Sequence, residues 1–162
     1  DASIWSYFTS DLANADQMKA WVNAAVQGFE HRVRVPWVIV DKASGKPIGS
    51  TSFGNIDLPH GRLEIGWTWL GKQFQGTGLN REVKFLLLRY AFEELELKRV
   101  EFKTDVLNQQ SRRALRNIGA TEEGVLRSHM EMPGDRRRDT IYFSILAHEW
   151  PAVKADRFEA IK

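Results

Sequence analysis

Between residues 73 and 80 the chain reads Gln73-Phe74-Gln75-Gly76-Thr77-Gly78-Leu79-Asn80, a glycine-bearing turn that follows a strand-like segment and opens an amphipathic helix. A strand must run in and a helix must run out, so the chain has to build a mixed α/β architecture around this point. The first N–H groups of a helix have no intrahelical partner and sit at the positive end of its dipole, which makes such a turn a cradle for an anion. Glycine at 76 and 78 lets the backbone approach a ligand closely and reach left-handed torsions. A Walker loop would continue to Gly-Lys-Ser/Thr, and a dinucleotide fingerprint would place a small residue where Arg81 stands; neither fits.

The rest of the chain supplies the layers. Met18, Trp21, Val22, Ala25 and Phe29 recur at helical spacing between about 14 and 30, a stripe expected to face a core. Trp37-Val38-Ile39-Val40 reads as a buried strand, and residues 41–47 as a turn into a return strand, Ile48 to Phe53. Arg62 to Leu70 is a third strand. The helix after the glycine turn carries Val83, Leu86, Leu87, Tyr90 and Ala91 along one side. Val100, Phe102, Thr104 and Val106 alternate with Glu101, Lys103 and Asp105 as a strand of period two, Asn108 caps a short helix ended by Gly119, and Val125–Met132 with Thr140–Ala147 form a final hairpin. Helix, three strands, helix, strand, helix and two strands make an α/β (α+β) domain over residues 1–162, with a mixed, largely antiparallel sheet flanked by helices.

Composition narrows the function classes. Zero cysteines exclude a disulfide framework, a thiolate metal site and a cysteine nucleophile. The four histidines, His31, His60, His129 and His148, lack ligand spacing, so no metal is expected. A net charge of +2 provides no field strong enough to indicate nucleic acid. No stretch is apolar enough to span a membrane and Asp1-Ala2-Ser3 does not open a signal peptide, so a cytoplasmic location is expected. Arg136-Arg137-Arg138, after Pro133-Gly134-Asp135, reads as a solvated hairpin tip.

Gln73, Gly76 and Gly78 match the order Gln/Arg-x-x-Gly-x-Gly/Ala. Upstream stands Glu64-Ile65-Gly66-Trp67-Thr68-Trp69-Leu70; downstream come Asn108-Gln109-Gln110-Ser111, then Gly119-Ala120 and Glu123-Gly124. From about Trp37 to Trp150 this ordered set resembles the GNAT superfamily of N-acetyltransferases, in particular the branch of ribosomal-protein N-terminal (Rim-type) acetyltransferases. The resemblance implies the GNAT-like acyl-CoA N-acyltransferase fold. The family carries a further strand ahead of the first helix, so the sheet is expected to lack its first strand or to continue into a preceding segment.

The resemblance also implies acetyl-CoA as co-substrate, bound by Trp69, Leu70, Gln73, Gln75, Gly76, Thr77, Gly78, Leu79 and Asn80, with Asn108 and Ser111 on the pantetheine arm. Lys72, Arg81, Arg112, Arg113 and Arg116 lie in or beside the phosphate regions, as phosphate contacts or as surface charge. The acetyl group passes by direct attack to an amine, at a peptide N-terminus or on a small molecule. Glu64 is the first choice for the base or amine-binding group, against an ordinary strand glutamate; Ser111 is the candidate acid for the departing thiolate, against a helix residue bonded to backbone, with Tyr142 as alternative acid or packing residue. Met130 stands where some of the branch carry a catalytic glutamate, and Glu131 points to the opposite face; a catalytically inactive acyl-CoA-binding module is therefore the second reading. A ribosome-associated RNA binder, resting on pI 9.0, is the third. A homodimer is compatible with the resemblance. An extended peptide would need a groove between Trp5–Phe8 and the Pro133–Asp139 hairpin.

Overall fold

Asn14 begins the first helix by a reciprocal device: its side chain accepts from Gln17 N at 3.0 Å, and the Gln17 side chain accepts from Asn14 N at 3.2 Å. The computed structural model describes residues 2–161. Its elements are α1 (Ala15–Glu30), β1 (Arg34–Val40), β2 (Pro47–Asp57), β3 (Arg62–Leu70), α2 (Leu79–Arg89), which runs on into a π-helical turn at Tyr90–Glu94, β4 (Arg99–Asp105), α3 (Gln109–Asn117), β5 (Thr121–Glu131), β6 (Arg137–Leu146) and α4 (Trp150–Phe158). The six strands form one sheet in the order β1-β2-β3-β4-β6-β5, antiparallel except where β3 meets β4. This is the mixed, largely antiparallel sheet expected from the sequence.

One face of the sheet carries Leu63, Ile65, Val100, Phe102, Ile141, Phe143 and Ile145, all buried against Phe85, Leu88, Phe92, Trp150 and Phe158 of the α2 and α4 layer. At about 1.5–3 kcal/mol for each large apolar side chain removed from water, this layer is the main source of stability. The opposite face is polar and nonetheless largely closed to water. Across the register Glu64 stands beside Glu101, Lys103 opposite Tyr142, and Asp105 opposite Thr140.

Several expectations need correction. In α2 and its π-helical extension, Leu86 and Tyr90 of the expected stripe are exposed, whereas Lys84, Phe85 and Leu88 are buried. Trp37, Val38 and Val40 are exposed, because β1 is the edge strand and has a neighbour on one side only. In α1 only Trp21 and Ala25 of the stripe are buried, while Val22 and Phe29 face solvent, since the helix meets the sheet along a narrow line. The closing Glu149-Trp150-Pro151 segment opens a helix, α4; Trp150, Val153 and Phe158 have the spacing that would have shown it.

A charge intrudes on the apolar layer. Lys84 of α2 is buried, donates to Thr68 Oγ1 at 2.7 Å and lies over the Phe102 ring at 5.6 Å. Burial lowers its pKa to about 7, against the opposing pull of the Glu64 charge. Because the folded value lies below the unfolded one, the unfolded chain binds more protons between about pH 7 and 10, and stability should rise with pH across that window. Lys84→Met should therefore unfold with a free energy about 1–4 kcal/mol higher than wild type at pH 7. The advantage should shrink toward pH 10, as measured by denaturant titration at several pH values.

Candidate active site

Strands β3 and β4 pair at Arg62↔Arg99, Leu63↔Val100 and Glu64↔Glu101, and the ladder then stops although β3 runs on to Leu70 and β4 to Asp105. Beyond Glu64 the two parallel strands diverge into a split. At its mouth, on the β3 side, lies the glycine turn. Gly76 (φ 76°) and Gly78 (φ 92°) both adopt left-handed torsions, and a Cβ on either would project into open space. Among the described residues no acceptor is bonded to the N–H groups of Gly76, Thr77, Gly78, Leu79 or Asn80, which are therefore free to bond elsewhere. Side chains brace the turn: Thr77 Oγ1 donates to Phe74 O at 2.7 Å, Gln75 Nε2 to Leu70 O at 3.1 Å, and Gln110 Nε2 reaches Gln75 Oε1 at 3.4 Å from α3. Gln73 is exposed beside it.

On the far lip Asn108 caps α3, accepting from Ser111 N at 3.0 Å. Among the described residues no hydrogen bond engages Ser111 Oγ. Leu70 is buried, and its carbonyl is already held by Gln75. Trp69 packs edge-on against Trp5 with ring centroids 5.1 Å apart, and its Nε1 is buried without a partner. Of the nearby cations, Arg81 donates to Arg157 O, Arg112 to Val106 O at 3.0 Å, and Arg116 pairs with Glu122 at 2.6 Å, leaving Lys72 and Arg113 exposed toward solvent.

Glu64 sits where the split closes and is 2% exposed. Its Oε2 accepts from Asn55 Nδ2 at 2.6 Å and pairs with Lys103 Nζ at 2.8 Å. A Cβ on Gly66 would stand 2.7 Å from Glu64 Oε1, so glycine there keeps that oxygen in place. Asn55 (φ 47°) and Trp67 (φ 52°) both adopt left-handed backbone where the β2–β3 register slips, a distortion that redirects side chains toward a site.

Sequence reasoning missed Asn55, Lys103, Asp105 and Arg138. The alternation of Glu101, Lys103 and Asp105 was visible; that their face is covered was not. Asp105, 0% exposed, accepts from Arg136 and from Leu107 N at 2.9 Å. Arg138 is buried, bonded to Thr140 Oγ1 at 2.9 Å; burial lowers its pKa while the Asp105 and Glu64 charges oppose that. Of the three arginines read as a solvated tip, then, Arg136 binds the hairpin to Asp105 at the end of β4, and Arg138 is buried along β6. Glu131, with 87% of its side chain exposed, pairs with Arg137 at 3.3 Å and points away from the split, as expected. Tyr142 is partly buried, its ring 6.1 Å from that of His129.

The N-terminal residues bridge the two lips. Trp5 meets Trp69 of β3, while Tyr7 Oη donates to Leu107 O at 3.3 Å. Between this segment and the hairpin opens a cavity of about 210 Å³, lined by Trp5, Phe8 and Asp11 on one side and Met132, Pro133 and Arg136 on the other.

A parallel pair that splits beside a glycine turn, with a buried carboxylate where it closes, is the frame on which this α/β domain is built. The acetyltransferase (GNAT) domain model matches residues 1–121. YdaF of Bacillus subtilis (strain 168), provisionally named a ribosomal N-acetyltransferase, is 38% identical over 110 residues, covering 68% of this chain and 59% of that protein. The chain thus spans less than two thirds of that relative. The uncharacterized N-acetyltransferase p20 of Bacillus licheniformis is 32% identical over 142 residues, 87% of this chain and 76% of p20. The crystal structure of a GCN5-related N-acetyltransferase from Brucella melitensis superimposes with a TM-score of 0.87 at 32% identity, covering 95% of this chain and 68% of that one. The spermidine N-acetyltransferase of Vibrio cholerae, solved with CoA and spermine, shares the fold at a TM-score of 0.76 and 22% identity over 93% of this chain and 86% of that one. This chain belongs to the GNAT acetyltransferase family.

The arginine clasp at the hairpin has a measurable consequence. Arg136→Ala leaves the Asp105 carboxylate with one fewer cation, and unfolding should become easier by about 1–3 kcal/mol, the cost of stripping a partner from a buried charged group. Denaturant midpoints of the two proteins check this.

Proposed function

We propose that this chain is an acetyl-CoA-dependent N-acetyltransferase whose acceptor is a weakly basic amine, foremost the α-amine of a peptide or small molecule. The observation that carries the reading is the row of unbonded amides from Gly76 to Asn80 at the mouth of the β3–β4 split, an arrangement suited to a pyrophosphate. Trp69, Leu70, Gln73, Gln75 and Thr77 frame that cradle from the β3 side, with Asn108 and Ser111 opposite. Acetyl-CoA supplies the thioester carbonyl. In the transfer the amine nitrogen bonds to that carbonyl carbon, the C–S bond breaks, the amine proton passes to Glu64 directly or through one water, and Ser111 Oγ donates to the leaving sulfur.

An amine must be neutral to attack. An α-amine with pKa about 8 reaches that state at neutral pH far more readily than a lysine at about 10.4. Glu64, already held by Lys103 and Asn55, is equipped to take a proton from the former rather than to deprotonate the latter. The reading is tested by incubating the protein with acetyl-CoA and a pool of peptides, polyamines and aminoglycosides, then searching by mass spectrometry for a gain of acetyl. Binding of acetyl-CoA without transfer to any amine would favour the inactive acyl-CoA-binding module, a reading that Met130 and the outward Glu131 support.

Two variants refine the assignment. Gly78→Val places a branched side chain in the cradle at a torsion valine resists, and calorimetry should show acetyl-CoA affinity reduced by a large factor in the folded protein; unchanged affinity would refute the site. Glu64→Gln keeps the shape and removes the proton acceptor, so the rate at neutral pH should fall about 10²-fold or more. That deficit should narrow as rising pH deprotonates the amine in solution.

A further inference from the structure

The two carboxylate oxygens of Glu64 have unequal surroundings. Oε2 accepts from Asn55 Nδ2 at 2.6 Å and from Lys103 Nζ at 2.8 Å, so both donors that hold the side chain converge on one atom. Oε1 accepts from no described residue. It is not sealed from solvent either. Among the described residues the fully buried side-chain atoms without a partner are Arg34 Nη2, Trp69 Nε1 and Arg112 Nε, and Oε1 is not one of them. The little surface that Glu64 keeps therefore includes Oε1. Gly66, whose Cβ would stand 2.7 Å from Oε1, leaves that side of the carboxylate clear.

Lys103 stands on the part of β4 that has already left the ladder, two positions beyond Glu101, the residue that pairs with Glu64. Its ion pair thus ties the two diverging strands together at the vertex of the split. The ammonium lies 6.0 Å from the Trp67 ring, and the same indole holds the Arg34 guanidinium carbon at 4.6 Å. The other charges around Glu64 are engaged elsewhere or act from a distance. Glu101 is paired with Arg99 at 2.8 Å and with Arg62 at 3.7 Å, and Asp105 with Arg136. Lys84 of α2 and Arg138 of β6 feel the Glu64 charge without an ion pair to it. Among the described residues Lys103 is therefore the cation in contact with this carboxylate. A base must be ionised to accept a proton, and a carboxylate taken out of water stays ionised only beside a cation or good donors.

We propose that Lys103 is a positioning residue for the transfer: it occupies Oε2, keeps the carboxylate ionised, and leaves Oε1 as the atom that takes the amine proton. This rests on the acetyltransferase reading, with Glu64 as the base. In the step the amine nitrogen bonds to the thioester carbon and one N–H bond breaks, its proton passing to Oε1 directly or through one water. The electron pair of the C–S bond leaves on the sulfur, which is protonated to the free thiol. Glu64 then returns its proton to water, and Lys103 keeps its own protons throughout.

The experiment is a double-mutant cycle on the whole chain, with the C-terminally amidated peptide Ala-Gly-Ala-Gly as acceptor and acetyl-CoA affinity followed by calorimetry. Lys103→Met removes the cation and keeps an unbranched stem. Its kcat should fall about tenfold to a hundredfold, the range of a hydrogen bond to a charged group, while acetyl-CoA affinity is unchanged. Made in Glu64→Gln, the same substitution should lower kcat little further, because Lys103 acts through the carboxylate. Lys103→Arg keeps the charge and should restore part of kcat; Lys103→Gln takes the place of the Met variant if that protein fails to fold. Gly66→Ala crowds Oε1 and not Oε2, and should also lower kcat. Carbon-13 NMR of the Glu64 carboxyl, identified by its loss in Glu64→Gln, supplies a readout that needs no acceptor. In Lys103→Met that carboxyl should titrate at higher pH than in the unmodified protein, a displacement that a merely structural lysine would not produce. Losses that multiply in the double variant, a carboxyl that titrates unmoved, or wild-type kcat in Gly66→Ala would overturn the proposal and leave Glu64 standing as the base. Wild-type kcat in Glu64→Gln would remove the base and this role of Lys103 together. If the unmodified protein does not acetylate the peptide, that counts against the α-amine reading, and the titration alone decides for or against Lys103.

Discussion

The interruption of one strand pairing organises this molecule. β3 and β4 are the parallel neighbours in the sheet, and their ladder extends for three positions before the strands part. Backbone N–H and C=O groups strongly prefer partners, so strands that run on without pairing leave polar groups available for another chain or a ligand. All that surrounds the gap is built to hold it open. α2 underlies it through the apolar layer, the glycine turn joins β3 to α2 at its mouth, and α3 starts on the opposite lip. The N-terminal segment joins the lips through Trp69 and the carbonyl of Leu107.

The polar face of the sheet is the second constraint. Glu64, Lys103, Asp105, Arg136 and Arg138 form a connected set of charges, with Lys84 below the sheet and Arg34 beside it. Buried charges are tolerated where each finds a partner, and removing one partner costs more than the pair contributes. In this set Asp105 and Glu64 are answered by Arg136, Arg138 and Lys103, whereas Arg34 is answered by none.

The residues that the sequence made legible share a local cause. The cradle depends on glycines at two positions within a single turn and on the helix that follows, and both follow from neighbours in the chain; hence Gly76, Gly78 and the Asn108 cap stand as expected. Strand β4 was visible through its alternation, and the order of elements through their periodicities. Helix α4 carries Trp150, Val153 and Phe158 at helical spacing, and a proline in the first turn of a helix is no obstacle. The exposure of Trp37, Val38 and Val40 was hidden. An apolar strand reads the same whether it is flanked on both sides or lies at an edge, and only the strand order decides.

The sequence alone determined the class of architecture, the glycine turn and the position of Glu64 on the strand that enters it, since these are set by torsional preference, hydrogen-bond supply and spacing within about ten residues. Tertiary structure decided which charges meet. Asn55, Glu64 and Lys103 come from three strands, Asp105 and Arg136 are 31 positions apart, and Trp21, Arg34 and Trp67 assemble from a helix and two strands. Such contacts depend on sheet order, on register slips at Asn55 and Trp67, and on what covers the polar face. A one-residue slip would send each side chain to the other face, and no local pattern encodes that choice.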